Sequence, residues 1–160
     1  MQDITITSTL HKVAENELTA EQRQLVEEAK AMTKQSYCPY SKFHVGAAAR
    51  LANGVIVRGA NQENAAYPSG ICAERTTLFS ANANYPDVPV LSLAIACYTG
   101  GNYTREPGSP CGACRQVMIE TEHRYKQNME VILYGDDFCL VSDSAKELLP
   151  LSFVSENLKG

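Results

Sequence analysis

Two short segments carry the residue types best suited to chemistry: Cys72-Ala73-Glu74 and Pro110-Cys111-Gly112-Ala113-Cys114. Residues three apart on a helix share a face, so Cys111 and Cys114 can reach one ion. With Cys72 opening a second helix, three thiolates and a water would complete a tetrahedral zinc site with an open position, the pattern of a catalytic centre. Helix N-termini favour thiolates through their partial positive charge and free N–H groups. Glu74, two residues after Cys72, can take a proton from a metal-activated water and pass it to a substrate nitrogen. A first-turn glutamate alone is explained by the helix dipole, and a lone CxxC is weak evidence. The combination of CxE with PCxxC points to chemistry. Three thiolates on Zn²⁺ leave a formal charge of −1, and Arg75 is placed to offset it by donating to the sulfurs. The plainer reading of Arg75 is a solvated helix residue.

These residues need two helices that start side by side. A first helix is predicted over about Thr19 to Gln35, with Thr19 as N-cap and Gln22 completing a capping box. Phe43 to Leu51 and Val55 to Val57 flank Asn53-Gly54, a strong hairpin signal. A second helix follows Pro68-Ser69, over about Gly70 to Asn82, and Val88 to Tyr98 reads as a buried strand. Residues 99 to 109 read as a loop. Pro110 suits the start of a third helix over about Cys111 to Tyr125. Met129 to Tyr134 and Phe138 to Val141 are short strands, and Asp143 or Ser144 can cap a short helix through Leu148 that Pro150 stops. Strands alternating with helices imply an α/β fold, a three-layer α/β/α sandwich around a mixed sheet of about five strands. Residues 1–160 form a single domain on this reading, with 1–17 as an N-terminal extension.

Charge and cysteine usage narrow the function. A net charge of −4 without a run of three basic residues disfavours a long nucleic-acid partner. No apolar run long enough to span a membrane occurs, and the start lacks a signal-peptide pattern, so a cytoplasmic location is expected. Six cysteines are then thiols. Cys38, Cys97 and Cys139, in apolar or aromatic surroundings, read as buried small hydrophobes. His11, His44 and His123 show no ligand spacing.

The CxE and PCxxC pair is the signature of zinc nucleobase deaminases. The chain further resembles the homotetrameric zinc-dependent cytidine deaminases in Tyr40 to Ala48, Asn61 to Pro68, Cys72 to Arg75, Pro110 to Gln116, and Leu148-Leu149-Pro150 with Phe153. The resemblance spans about residues 20 to 153. It implies a cytidine deaminase-like fold, one zinc per subunit on Cys72, Cys111 and Cys114, and Glu74 as proton shuttle. Cytidine and deoxycytidine would be hydrolysed to uridine and deoxyuridine plus ammonia, by zinc-bound hydroxide attack on C4, in pyrimidine salvage. Asn61 and Glu63 would hold the ribose hydroxyls, Phe43 would line the pyrimidine pocket, and the Ala73 N–H would hold the base carbonyl. Tyr67 would mark where a neighbouring subunit completes the pocket, and Phe153 would close a neighbour's pocket in a homotetramer. Read from the residues alone, Asn61 and Glu63 are an exposed polar pair and Phe43 is core. Three alternatives differ in class. A deaminase of another cytosine nucleoside, such as a blasticidin-type antibiotic, fits Asn61 to Pro68 less well. A nucleic-acid editor conflicts with the acidic charge and with Cys72 in place of His. A structural zinc module would need a fourth ligand from Cys38, Cys97 or Cys139.

Overall fold

The computed structural model describes residues 1–159. Its strands are β1 (His11–Val13), β2 (His44–Leu51), β3 (Ile56–Ala60), β4 (Val90–Thr99), β5 (Asn102–Tyr103), β6 (Glu130–Leu133) and β7 (Cys139–Ser142). Three longer helices join them: α1 (Ala20–Met32), α2 (Ala73–Asn84) and α3 (Gly112–Tyr125). The strands form one sheet in the order β1-β7-β6-β4-β2-β3, with β5 paired to β4.

The five expected strands are its body; the sheet has seven because two short ones were not anticipated. Part of the N-terminal extension pairs antiparallel with β7, His11 opposite Val141, and covers that edge. The expected loop after β4 turns back at once, so that Tyr103 pairs with Tyr98. Both additions are too short for an alternating apolar pattern to announce them.

The layers follow from alternation along the central strands. Ala48 of β2 and Ala94 and Ala96 of β4 face Leu25, Val26 and Ala29 of α1. Ala47, Ala49, Leu93 and Ile95 point the other way, into the core with Leu78 of α2 and Met118 of α3. α1 therefore covers one face while α2 and α3 cover the other. Thr19 caps α1 as expected, its hydroxyl accepting from the Gln22 N–H at 3.2 Å while Gln22 Oε1 accepts from the Thr19 N–H at 2.9 Å. The β2–β3 hairpin turns at Asn53-Gly54, where Gly54 has φ +85°, a conformation that favours glycine.

Strand directions bring the two motifs together. β2 is antiparallel to both β3 and β4, so β3 and β4 run in the same direction, and β6 is parallel to β4. The chain leaves the carboxyl end of β3 to start α2, and the carboxyl end of β4 to start α3. Both helix N-termini consequently lie at one end of the sheet, where open α/β folds place their ligands. The far end of α3 is held by Glu122, a buried carboxylate accepting from the N–H groups of Met129 (2.7 Å) and Ala145 (2.8 Å) and from the Ser144 hydroxyl (3.0 Å). Among the described residues no helix is long and apolar enough to cross a membrane.

Candidate active site

Cys72 is the N-cap of α2 and Cys111 the N-cap of α3, with Cys114 one turn on. Neither cysteine caps its helix through its side chain, so both sulfurs are free to face the gap between the helix starts. Cys72 Sγ lies 3.8 Å from Cys111 Sγ, which lies 3.4 Å from Cys114 Sγ, and all three fall within 4.8 Å of one another. Thiolates on a tetrahedral zinc at about 2.3 Å sit about 3.8 Å apart. The spacing and the all-sulfur donor set therefore fit the metal.

Arg75 Nη2 donates to Cys72 Sγ at 3.7 Å, the contact expected of a charge-offsetting neighbour. Its Nε is buried without a protein partner. Hydrogen bonding from the Cys114 thiol, helped by Arg75, holds the Cys72 thiol down to about 5. The same contact with Cys72 and burial push Cys114 upward. Of these two cysteines, Cys72 is thus the more readily ionised.

Glu74, on the first turn of α2, is 5% exposed. Burial pushes its carboxyl above the usual glutamate range, and the negative charge of Cys72 adds to this. A raised carboxyl beside a cluster able to hold a metal is the environment of a group that both takes and gives a proton.

These residues open onto a cavity of about 940 Å³ lined by Phe43, Asn61, Glu63, Tyr67, Cys72, Glu74, Arg75 and Cys111 among others. Its volume suits a small organic ligand. Asn61 and Glu63 lie beyond the end of β3 in an extended run, where Gln62 bridges to Tyr37 and Ile71. Glu63 Oε2 accepts from the N–H groups of Tyr40 (2.9 Å) and Ser41 (3.2 Å). The Ser41 hydroxyl and these N–H groups hold the Glu63 carboxyl below the usual range.

The structure brings together most of the residues singled out in the sequence. Phe43 lines the cavity and is exposed, not core. Tyr67 stands at the rim, 79% exposed, its ring edge-on to Tyr40 at 6.3 Å. Ala73 opens α2, where N–H groups have no intrahelical acceptor. Phe153 is outside the cavity of its own chain and 59% exposed, with its carbonyl accepting from Gln116. Cys38, Cys97 and Cys139 are buried, as expected, and none joins the metal cluster.

Sequence reasoning missed part of the wall. Ile95 and Cys97, successive inward residues of β4, also line the cavity. Burial, with the Glu74 charge, pushes the Cys97 thiol up to about 12, which keeps it neutral. The two-residue period of that strand was the available signal.

Comparison with known proteins agrees with this geometry. The family model of the cytidine and deoxycytidylate deaminase zinc-binding region matches residues 19–128. The chain belongs to this deaminase family. A cytidine deaminase of Halalkalibacterium halodurans is 39% identical over 138 residues, covering 86% of this chain and 98% of the relative. One from Sporosarcina psychrophila is 40% identical, covering 84% and 92%. The crystal structure of a Burkholderia pseudomallei cytidine deaminase, 42% identical, covers 85% of this chain and all of its own, with a TM-score of 0.69. As a member of this zinc-dependent deaminase family the chain is an enzyme with zinc as its cofactor, and the three-cysteine cluster offers the place for the metal.

Proposed function

We propose that this enzyme hydrolyses cytidine and deoxycytidine to uridine and deoxyuridine with release of ammonia, a step of pyrimidine salvage. The observation that carries the reading is the buried Glu74 beside three converging cysteine sulfurs in a cavity of nucleoside size. The near full-length similarity to cytidine deaminases supports the same reading.

Cys72, Cys111 and Cys114 would hold the zinc, which when bound supplies the Lewis acidity that makes water a nucleophile near neutral pH. Glu74 takes a proton from the attacking water, delivers it to N3 of the base, and then assists departure of ammonia. Its displacement toward a higher pKa suits this exchange, because the carboxyl gives up and regains a proton within a narrow range. Arg75, hydrogen-bonded to Cys72, offsets the negative charge of the sulfurs. The Ala73 N–H holds the base carbonyl, and Phe43 provides the apolar wall against which the ring lies. Asn61 and Glu63 hold the sugar, with Glu63 ionised at neutral pH.

Several apolar side chains remain exposed near the mouth and tail: Tyr40, Phe43, Tyr67, Leu151 and Phe153. Patches of this kind are covered in assemblies. The enzyme is proposed to act as a homotetramer in which Phe153 of one copy closes the pocket of the next. The proposal also takes residues 1–160 as one domain working in the cytoplasm on a small nucleoside, with no nucleic-acid partner. Ultraviolet monitoring of cytidine with the purified protein tests the activity. Turnover should be lost on chelation and restored by zinc, and a zinc-loaded protein that leaves cytidine unchanged would refute the reading.

A further inference from the structure

The Asn61 amide is more committed than a ligand-contacting side chain needs to be. Its Oδ1 accepts from the Ser36 hydroxyl at 2.5 Å and from the Val45 N–H at 2.9 Å. Its Nδ2 donates to the Phe43 carbonyl at 2.9 Å. An amide oxygen has two lone pairs and an amide nitrogen two hydrogens. Both acceptor sites are thus filled, and one N–H remains for the cavity. Glu63 presents the complement: its Oε2 is engaged by the Tyr40 and Ser41 N–H groups, and even with the Ser41 hydroxyl nearby the carboxylate, which can only accept, keeps lone pairs on Oε1 for a ligand hydroxyl. Ser36 itself follows the 3-10 turn Thr33–Gln35 and is not part of the cavity wall.

We propose that Ser36 is a positioning residue for sugar recognition: by filling the second lone pair of Asn61 Oδ1, it leaves the amide facing the ligand as a donor only. This rests on the reading that Asn61 and Glu63 hold the sugar. A single sugar hydroxyl can then donate to Glu63 and accept from Asn61, and no other polarity fits the pair. The Val45 and Phe43 bonds fix which end of the amide is which. Ser36 locks the amide plane between them and polarises the remaining N–H, since linked hydrogen bonds strengthen one another.

The test measures kcat and KM for the wild type, Ser36→Ala and Ser36→Thr on cytidine, 2′-deoxycytidine and 3′-deoxycytidine. Ser36→Ala should raise KM for cytidine by about 3- to 10-fold, the worth of one hydrogen bond. The kcat should stay within about 2-fold, because the contact is made equally in ground and transition states. The penalty should vanish on whichever deoxy substrate lacks the hydroxyl that Asn61 reads, and Ser36→Thr, which keeps the hydroxyl, should behave as wild type. An equal penalty on all three substrates, a loss in kcat in place of KM, or a Ser36→Thr variant as impaired as Ser36→Ala would overturn the proposal. Wild-type enzyme with the same KM for all three would instead overturn the sugar-site reading itself. Retained wild-type discrimination in Ser36→Ala would overturn the role of Ser36 alone.

Discussion

Gly59→Ala should disturb the active site without touching it. Gly59 lies on β3 beneath the first turns of α2, and a Cβ placed there would meet Thr77 Oγ1 at 2.4 Å, the Thr77 nitrogen at 2.9 Å and the Ala73 carbonyl oxygen at 3.1 Å. Ordinary contacts need about 3.5 Å, so roughly 1 Å must be found. The Thr77 side chain is poorly able to yield it: its hydroxyl donates to the Ala73 carbonyl at 2.8 Å, and a β-branched residue in a helix has few rotamers. The other two atoms are backbone. The helix must therefore lift from the sheet, carrying Cys72 and Glu74 away from Cys111. Overpacking of this kind costs about 1–3 kcal/mol. For a chain of this size that is a melting-temperature loss of about 3–10 °C. A displacement of about 1 Å at the reacting groups can cost about 10²-fold in rate. Thermal melting, zinc content and ultraviolet-monitored turnover should show all three effects. Combining the change with Thr77→Ala removes the closest atom and should return part of the loss, though not the clash with the Thr77 nitrogen. Unchanged melting and turnover in Gly59→Ala would refute the claim that α2 rests directly on this glycine.

Glu74→Gln should keep fold and zinc but lose about 10²–10⁴-fold or more in turnover, and near-normal activity with zinc retained would remove Glu74 from proton transfer. Mixed with Phe153→Ala subunits, the Glu74→Gln protein should regain partial activity, since some pockets in hybrid assemblies then hold both residues; no recovery in confirmed hybrids would place Phe153 outside the site. The Arg58 guanidinium binds both oxygens of Glu28, at 2.6 and 2.7 Å, and holds that carboxyl below its usual range. A lowered folded-state pKa contributes stability above the unfolded value that disappears as pH falls through the folded one. Arg58→Ala should therefore cost up to about 1 kcal/mol at neutral pH, discounted for the partial exposure of both side chains, and less at about pH 3, below the ordinary glutamate range. Equal urea-melt differences at the two pH values would show that charge plays no part.

The chemistry was far more legible in the sequence than its enclosure. Cys72, Glu74, Cys111 and Cys114 announce themselves because metal ligation and proton transfer need particular elements at fixed spacing, and each pair sits within a single helical turn. Thr19 with Gln22 and Asn53 with Gly54 were equally readable, since capping and tight turns are decided by neighbouring residues. Ser36, Cys97 and Glu122 were not, because their roles depend on partners brought near only by the folded sheet. Ser36 meets Asn61 twenty-five positions away, and Glu122 meets Ala145 twenty-three away. The short strands β1 and β5 escaped for a related reason. Pairing with an existing edge fixes them, and nothing in their own composition demands extension.

The two helix starts that supply the sulfurs are separated by thirty-nine residues, from Cys72 to Cys111, with α2 and the whole of β4 between them. A metal held at both ends closes this stretch into a ring, as a covalent bridge would. By chain-entropy arithmetic a closed loop of that length removes about 4 kcal/mol of freedom from the unfolded chain. An ion bound for catalysis would then also be a staple joining the second and third helices. Starving the protein of zinc would loosen the architecture as well as silence it, and the metal-free chain should be the form that proteases and heat find first.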